Sequence, residues 1–531
     1  MQYEKDTICA IATGTGSAGI GIVRLSGPSA IEIADRLFRG KRRLADLKSY
    51  TAAYGQLFRV APMGESKDVD HVSMGEVSDV DHVQMNEVKN AHDTSVGDVR
   101  DSSKEEVLDE VIALVMRAPH TYTTEDVVEL SCHGGPLVMH RVLEELVAAG
   151  ACLAEPGEFT KRAYLGGRID LSEAEAVMDV IAAENETALD ASLRQLRGSL
   201  KAAVTDLREK LLYETAYIES ALDDPENYSL DGYPEHMHEV LENVRREINR
   251  LLSSAKEGRL LREGIRTAIV GRPNAGKSSV LNLLLGEERA IVTDIAGTTR
   301  DTLEEKALVG GVQLVLVDTA GIRETDDRVE QIGVQRARET LDQADLILLV
   351  IDAAEPLTEE DRTLLQSLAG GGESDQDQRA ITTPMIILLN KNDLDTVVTR
   401  ESIREILSRE SSGESLPEAK DTETGKVRIL EISAATGDGK KLLADEVRRL
   451  FFAGSLSDSR EKYLLRARHA EALRDADAAL QRVEESVAAH VGEDFYTIDL
   501  LAAYEALGRI TGETLEDDLA DKIFAEFCMG K

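Results

Sequence analysis

At 531 residues the chain is long enough for roughly three or four domains, and its net charge of −38 excludes a simple nucleic-acid binder, since RNA needs a local basic patch or a partner here. Cys9, Cys132, Cys152 and Cys528 are too few and too scattered for a disulfide framework or a zinc site. The start Met1-Gln-Tyr-Glu-Lys-Asp6 is unlike a signal peptide and no run approaches the roughly 18 apolar residues of a membrane span, so a cytoplasmic protein with no membrane partner is expected.

Residues 1–155 mix strands such as 19–25 and 111–116 with a helix over 28–39, which predicts an α+β domain. Within it, 62–107 is an acidic stretch carrying a duplication, Asp68-Val-Asp-His-Val-Ser-Met-Gly-Glu-Val77 against Asp79-Val-Asp-His-Val-Gln-Met-Asn-Glu-Val88. Two copies are too few for a solenoid. The segment reads as a disordered, solvated insertion between two strands, preferred over metal binding by His71 and His82. After Asp170 the pattern changes: Ser172-Glu-Ala-Glu175 fits a capping box, and 174–221 keeps apolar residues at helical spacing almost without a break. Residues 466–489 repeat that spacing, so 156–263 and 454–531 are expected to be two halves of one helical domain, interrupted by an α/β module over 264–453. Polar runs at 370–380 and 409–425 lengthen surface connections within the module.

The module opens on the apolar run Thr267-Ala-Ile-Val270 followed by Gly271-Arg-Pro-Asn-Ala-Gly-Lys-Ser-Ser279, a strand-to-helix phosphate loop. Its backbone from Asn274 through Ala275 and Gly276 to Ser279 converges on phosphates, Lys277 reaches the terminal ones, and the Ser278 hydroxyl is placed for Mg²⁺. Asn390-Lys-Asn-Asp393 after the strand 385–389 selects guanine: Asp393 accepts from the base N1–H and amine, and Asn390 and Lys391 frame the ring. Ser433, Ala434 and Ala435, after the strand 427–432, offer a backbone N–H to the base carbonyl. Asp318-Thr319-Ala320-Gly321 supplies a water-mediated Mg²⁺ contact and a γ-phosphate N–H, and Thr293-Asp-Ile-Ala-Gly-Thr-Thr-Arg-Asp301 supplies Thr299 for Mg²⁺, with Thr293 and Thr298 beside the nucleotide. A Ras-like P-loop GTPase domain is the expectation.

Many GTPases carry a water-orienting glutamine after Asp-x-x-Gly, but here that position is Ile322. Hydrolysis then needs another base, and the acidic run 324–330 is the local supply. A cation must also balance the transition-state charge; Asn274, with oxygens of Thr293, Ile295 and Thr298, can hold a monovalent ion there.

With these residues assembled, the chain resembles the bacterial and organellar tRNA modification GTPases that act on the wobble uridine with a flavin-dependent partner. The match rests on Asp6-Thr-Ile-Cys-Ala-Ile-Ala-Thr13, Gly19-Ile-Gly-Ile-Val-Arg-Leu-Ser-Gly27, Thr124-Glu-Asp-Val-Val-Glu129 with His133-Gly-Gly135, Pro156-Gly-Glu-Phe-Thr-Lys-Arg162, Leu261-Arg-Glu-Gly264, Thr298-Thr-Arg-Asp301 and the ending Phe527-Cys-Met-Gly-Lys531. The resemblance implies a multidomain protein with an N-terminal folate-binding and dimerisation domain, a discontinuous helical domain and an inserted GTPase domain. It implies a homodimer joined by the flavoprotein partner, which carries the FAD, with tRNA as substrate, potassium as the monovalent cation and a tetrahydrofolate derivative as one-carbon donor. Glu330 matches the family's catalytic glutamate, and Cys528 is its candidate in the modification chemistry. Arg24, Glu129 and Lys531 match folate-site positions; Arg168 stands where many members have lysine, and that change of geometry matters. Two alternatives stay open: a GTP-dependent RNA or ribosome assembly switch without modification chemistry, and a folate-dependent methyltransferase with a regulatory GTPase.

Overall fold

The computed structural model describes residues 6–14, 16–59, 106–286, 305–318, 343–369, 383–409, 427–452, 466–513, 522–525, 527 and 530. Two compact units emerge: Met1–Ile169 with Glu516–Lys531, and Asp170–Leu515.

The first unit contains β1 (Ile8–Ile11), β2 (Gly21–Ser26), α1 (Ala30–Leu37), β3 (Phe38–Gly40), β4 (Thr51–Phe58), β5 (Val107–Met116), β6 (Val127–Cys132), α2 (Pro136–Ala148), β7 (Cys152–Leu153) and α3 (Glu158–Leu165). Its seven-stranded sheet runs β3-β4-β5-β6-β2-β1-β7 and is antiparallel except for β1 beside β7. Strand alternation sends Val23, Leu25, Val111, Ala113, Val115, Val128 and Leu130 into one core with Ile31, Leu37, Met139, Val142 and Leu146 of α1 and α2. The intervening residues of β2 and β6 include Arg24 and Glu129, which are register partners. β5 begins at Val107, and Arg59 N–H donates to the Glu106 carbonyl at 3.0 Å, so the acidic insertion expected over 62–107 ends before Glu106. Residues 62–105 lie outside the described residues.

A boundary expected at 155/156 falls later, at 169/170. Phe159 of α3 is fully buried with Ile8, Ala10 and Ala154, and Arg162 donates to the Asp6 carbonyl at 2.9 Å, so α3 is anchored in the N-terminal core. The last residues also leave the helical half: Phe524 and Phe527 are buried, their rings 5.1 Å apart, and Tyr164 of α3 lies 5.9 Å from Phe524.

The second unit opens with α4 (Leu171–Ala182), α5 (Glu186–Leu196), α6 (Ser199–Asp223) and α7 (Tyr233–Glu263). The helical spacing that runs over 174–221 almost without a break is divided among three helices, because Asn185 caps α5 by accepting from Ala188 N–H at 2.8 Å and Gly198 caps α6. The capping box is Asp170 with Glu173, two residues before the expected Ser172–Glu175 pair: Asp170 accepts from Glu173 N–H, and Glu173 from Asp170 N–H, both at 2.8 Å. Glu175 is instead buried against Arg468 and His469, which leaves the box to its neighbour.

The α/β module follows with β8 (Ile265–Val270), α8 (Lys277–Leu285), β9 (Glu305–Val309), β10 (Val312–Asp318), β11 (Leu346–Asp352), α9 (Glu359–Ala369), β12 (Met385–Asn390), α10 (Arg400–Arg409), β13 (Val427–Glu431) and α11 (Lys440–Phe452). Strand order is β13-β12-β11-β8-β10-β9, parallel except for the hairpin β9–β10. β11 and β12 are buried throughout, as strands covered on both faces must be. The chain then returns in α12 (Ala467–Ala488) and α13 (Asp494–Thr511), whose Leu473, Leu480, Leu500 and Leu507 share one core with Leu207, Leu211, Leu241 and Ile248 of α6 and α7. The module is therefore an insertion in a helical bundle assembled from two distant stretches. At the exit from α7, Gly264 adopts φ +82, and a Cβ there would stand 2.9 Å from Val315 Cγ2 of β10. No helix among the described residues is long and apolar enough to cross a membrane.

Candidate functional site

Parallel strands β8, β11, β12 and β13 bring their C-terminal ends to one edge of the sheet, where α/β folds bind ligands. The loop from Gly271 to Gly276 connects β8 to the N-terminus of α8, whose dipole and first-turn N–H groups favour an anion. Gly276 has φ +100, and a Cβ on it would collide with the Asn390 side-chain amide. Lys277 Nζ donates to the carbonyls of Gly271 at 2.8 Å and Arg272 at 2.9 Å, so its ammonium lies across the loop. Asn274, in a left-handed conformation at φ +64, is exposed, as are Ser278 and Ser279, while Ala275 is buried. The exposed Ser278 hydroxyl is an oxygen donor of the kind a hard cation such as Mg²⁺ takes, and the β10 backbone ends at Asp318.

Asn390, 2% exposed, carries two hydrogen bonds: its Nδ2 donates to the Ala275 carbonyl at 3.1 Å and its Oδ1 accepts from Ala434 N–H at 3.0 Å. Asn390 thereby ties the phosphate loop to the 433–435 loop. Asp393 is exposed at the edge, and Ser433 Oγ donates to its Oδ1 at 2.6 Å while accepting from Thr436 N–H at 3.2 Å. Ala435 is exposed beside it. Lys391 has φ +67 and its Nζ lies 2.5 Å from Asp352 Oδ2. Arg272 extends to Glu355 at 2.6 Å, and that hydrogen bond holds its pKa above the ordinary guanidinium value. Asp352 lies in no motif, and Arg272 sits in the phosphate loop without an assigned role; the available signal for Asp352 was an acid closing the fully apolar run 346–351.

Thr293, Ile295, Thr298, Thr299, Thr319, Ala320, Gly321, Ile322, Glu330, Cys528 and Lys531 lie outside the described residues, and so does the Asp318 side chain.

A second constellation sits in the first unit. Arg24 Nε donates to Glu129 Oε1 at 2.9 Å and Arg24 Nη1 to the Gly530 carbonyl at 3.2 Å, joining residues from opposite ends of the chain. The Arg24 guanidinium stands 5.7 Å from the Phe159 ring and 6.0 Å from Tyr122. Arg168, exposed, stacks over Tyr122 at 4.8 Å and donates to its carbonyl at 3.1 Å. Burial raises the Tyr122 phenol, opposed by a hydrogen bond with Thr160 and by the charges of Arg168 and Arg24. Tyr122 carried no sequence signal of its own. The neighbouring motif residues Glu125, Glu158 and Arg162 serve architecture: Arg162 bridges both acids at 3.1 and 2.7 Å. Cys9 and Cys132 are buried, which pushes both thiols up to about 12, while Cys152 is exposed.

A family model described as the MnmE helical domain matches residues 171–528, and one described as the GTP-binding protein TrmE N-terminus matches 7–79 and 72–168. The tRNA modification GTPase MnmE of Lachnoclostridium phytofermentans is 44% identical over 531 residues, covering 99% of this chain and 100% of its own. The proteins of that name from Shouchella clausii and Listeria welshimeri are 41% and 40% identical, each over 99% of this chain and 100% of theirs. Among solved structures, Era of Aquifex aeolicus bound to GDP.AlF4⁻ is 27% identical, covering 40% of this chain and 66% of that one, with a TM-score of 0.25. Matching at both ends and along its whole length, the chain belongs to the MnmE family of tRNA modification GTPases.

Proposed function

We propose that this GTPase of tRNA modification is stimulated by potassium and drives addition of an aminomethyl-type group to carbon 5 of the wobble uridine. In this reading it works as a homodimer through its N-terminal unit, with a flavin-dependent partner protein that carries FAD and with a reduced folate. The supporting observation is the Arg24–Glu129 pair, flanked by Tyr122, Arg168 and the Gly530 carbonyl. A cation, a carboxylate and an aromatic face in one place suit the donor edge, carbonyl and ring of a pterin. The folate supplies the one-carbon unit, and Lys531 and Cys528, within two residues of Gly530 in sequence, are assigned to folate binding and to the modification chemistry.

In the nucleotide site, Lys277 and the loop amides hold the phosphates, Ser278 with Thr299 holds Mg²⁺, and Asp393 reads guanine. Potassium is held by Asn274 with oxygens of Thr293, Ile295 and Thr298, where it offsets charge developing in the transition state. Glu330 orients or activates the attacking water, a role Ile322 cannot fill.

The test is a titration with 5-formyltetrahydrofolate followed by tRNA analysis in a deletion strain carrying the gene back. The intact protein is expected to bind the folate and restore the modified wobble uridine. Arg24→Ala is expected to weaken folate binding about 10- to 100-fold, the loss of a charged hydrogen-bond donor, while GTP turnover stays within twofold. Absence of folate binding by the wild-type protein would favour the assembly-switch alternative.

A further inference from the structure

Asp352 belongs to none of the guanine-nucleotide motifs, yet it ends β11 between the phosphate loop and the base-reading loop. Its sheet neighbour on one side is Asn390, its register partner across β12. On the other, β11 pairs with β8, the strand that delivers the phosphate loop, through Leu349 and Val270. The Asp352 side chain is 2% exposed, so its charge is withdrawn from water and needs partners. The two carboxylate oxygens have separate ones. Oδ1 accepts from Ala354 N–H at 3.0 Å and shapes the turn after the strand. Oδ2 lies 2.5 Å from Lys391 Nζ, with Arg272 Nη2 at 4.0 Å. An asparagine would serve the turn equally well, so turn geometry alone does not call for a charge here.

Arg272 extends the connection to the phosphate side. Its side chain is held by Glu355 at 2.6 Å and Asp361 at 3.3 Å, and its own carbonyl accepts from Lys277 Nζ at 2.9 Å. Beneath the nucleotide edge, one acidic residue thus stands beside the base-loop lysine and the arginine whose peptide steadies the phosphate-loop lysine.

We propose that Asp352 is a positioning residue for guanine-nucleotide binding: its carboxylate anchors Lys391 so that the lysine stem lies along the site edge as a face for the purine. The anchor also keeps the ammonium away from Asp393, two residues on and exposed, whose carboxylate has to stay available for the base. Lys391 holds a left-handed backbone at φ +67, a conformation that persists only where surrounding contacts over-determine it, and the Asp352 ion pair is such a contact. The inference rests on the GTP-binding reading of the site and adds a residue that the motifs omit.

Asp352→Asn tests it, because the amide keeps the turn and removes the charge. GDP affinity by calorimetry and steady-state GTP hydrolysis are measured on the full-length wild type, D352N, K391M and the double variant. D352N is expected to raise the GDP Kd and the GTP KM at least tenfold with kcat within about twofold. The double variant is expected to be no weaker than the worse single variant, since both changes break one pair. Unchanged KM in D352N, or a double-variant loss equal to the product of the singles, overturns the proposal while leaving the GTPase reading intact. Failure of the wild type to bind GDP would instead sink that reading, and the proposal with it. Should D352N not fold, Asp352→Glu carries the test by displacing the charge one methylene; KM is expected to rise at least threefold, and an unchanged KM overturns the proposal.

Discussion

Glu175→Ala is expected to destabilise the helical bundle by about 3–5 kcal/mol, the range for removing one partner of a buried ion pair. The Glu175 side chain, 2% exposed on α4, accepts from Arg468 Nη2 at 2.8 Å and Nε at 3.1 Å, and the His469 ring lies 2.8 Å away with no exposure of its own. Arg468 also donates to the Arg509 and Ile510 carbonyls at the end of α13, so the carboxylate joins α4, α12 and α13. Alanine would leave the part-buried guanidinium with only the two carbonyls and the buried imidazole without its carboxylate partner. Burial alone would raise the Glu175 carboxyl, but the charges and hydrogen bonds of His469 and Arg468 overcome it and hold the group far below the usual carboxylate range. Because the folded pKa is depressed, the contribution is complete above the unfolded value of about 4.3 and is lost as pH falls below that toward the folded value. Denaturant midpoints at pH 7 and at pH 3.5 check both parts: the variant should lie well below wild type at pH 7, and the gap should narrow at pH 3.5. Equal midpoints at pH 7 would refute this account of the cluster. The same helix leads to Glu184, which binds Lys306 at 2.6 Å and Gln313 at 2.7 Å on the β9–β10 hairpin ending at Asp318. Anchoring α4 therefore also sets where the bundle meets the nucleotide module.

Asn390→Ala should weaken GDP and GTP alike by about 100-fold. Two hydrogen bonds disappear, and the Ala275 carbonyl and Ala434 N–H lose their partner at a buried position. Each such loss costs about 1–3 kcal/mol, and about 3 kcal/mol in total corresponds to roughly 100-fold in affinity. The loss falls on binding because phosphate and base loops are no longer held in mutual register; kcat at saturating GTP should change much less. Calorimetric Kd values within threefold of wild type would show that the two loops keep their places without this link.

The amino-acid order alone made the motifs of the nucleotide site legible, since each is a short run at the end of its own strand: Gly271–Ser279 after β8, Asp318–Gly321 from the last residue of β10, Asn390–Asp393 from the last residue of β12. Helical spacing likewise separated the bundle from the module, and the C-terminal Phe527–Lys531 run pointed to the family. These signals are local, carried by residues a few positions apart. Tertiary structure decided what depends on long-range pairing and burial. Asn185 and Gly198 cut a seemingly continuous helix because capping competed with a periodicity that persists through the breaks. α3 joined the N-terminal unit because Phe159 finds its core there. Arg24, Glu129 and Gly530 meet only because sheet register and the buried C-terminal phenylalanines bring them together. Asn390 is legible in sequence as part of the base motif, but its tie between the two loops shows only in the fold, and Asp352 passes unnoticed until its carboxylate is seen beside Lys391. Motifs name the groups that face a ligand; which groups hold them in place depends on residues that folding alone makes neighbours.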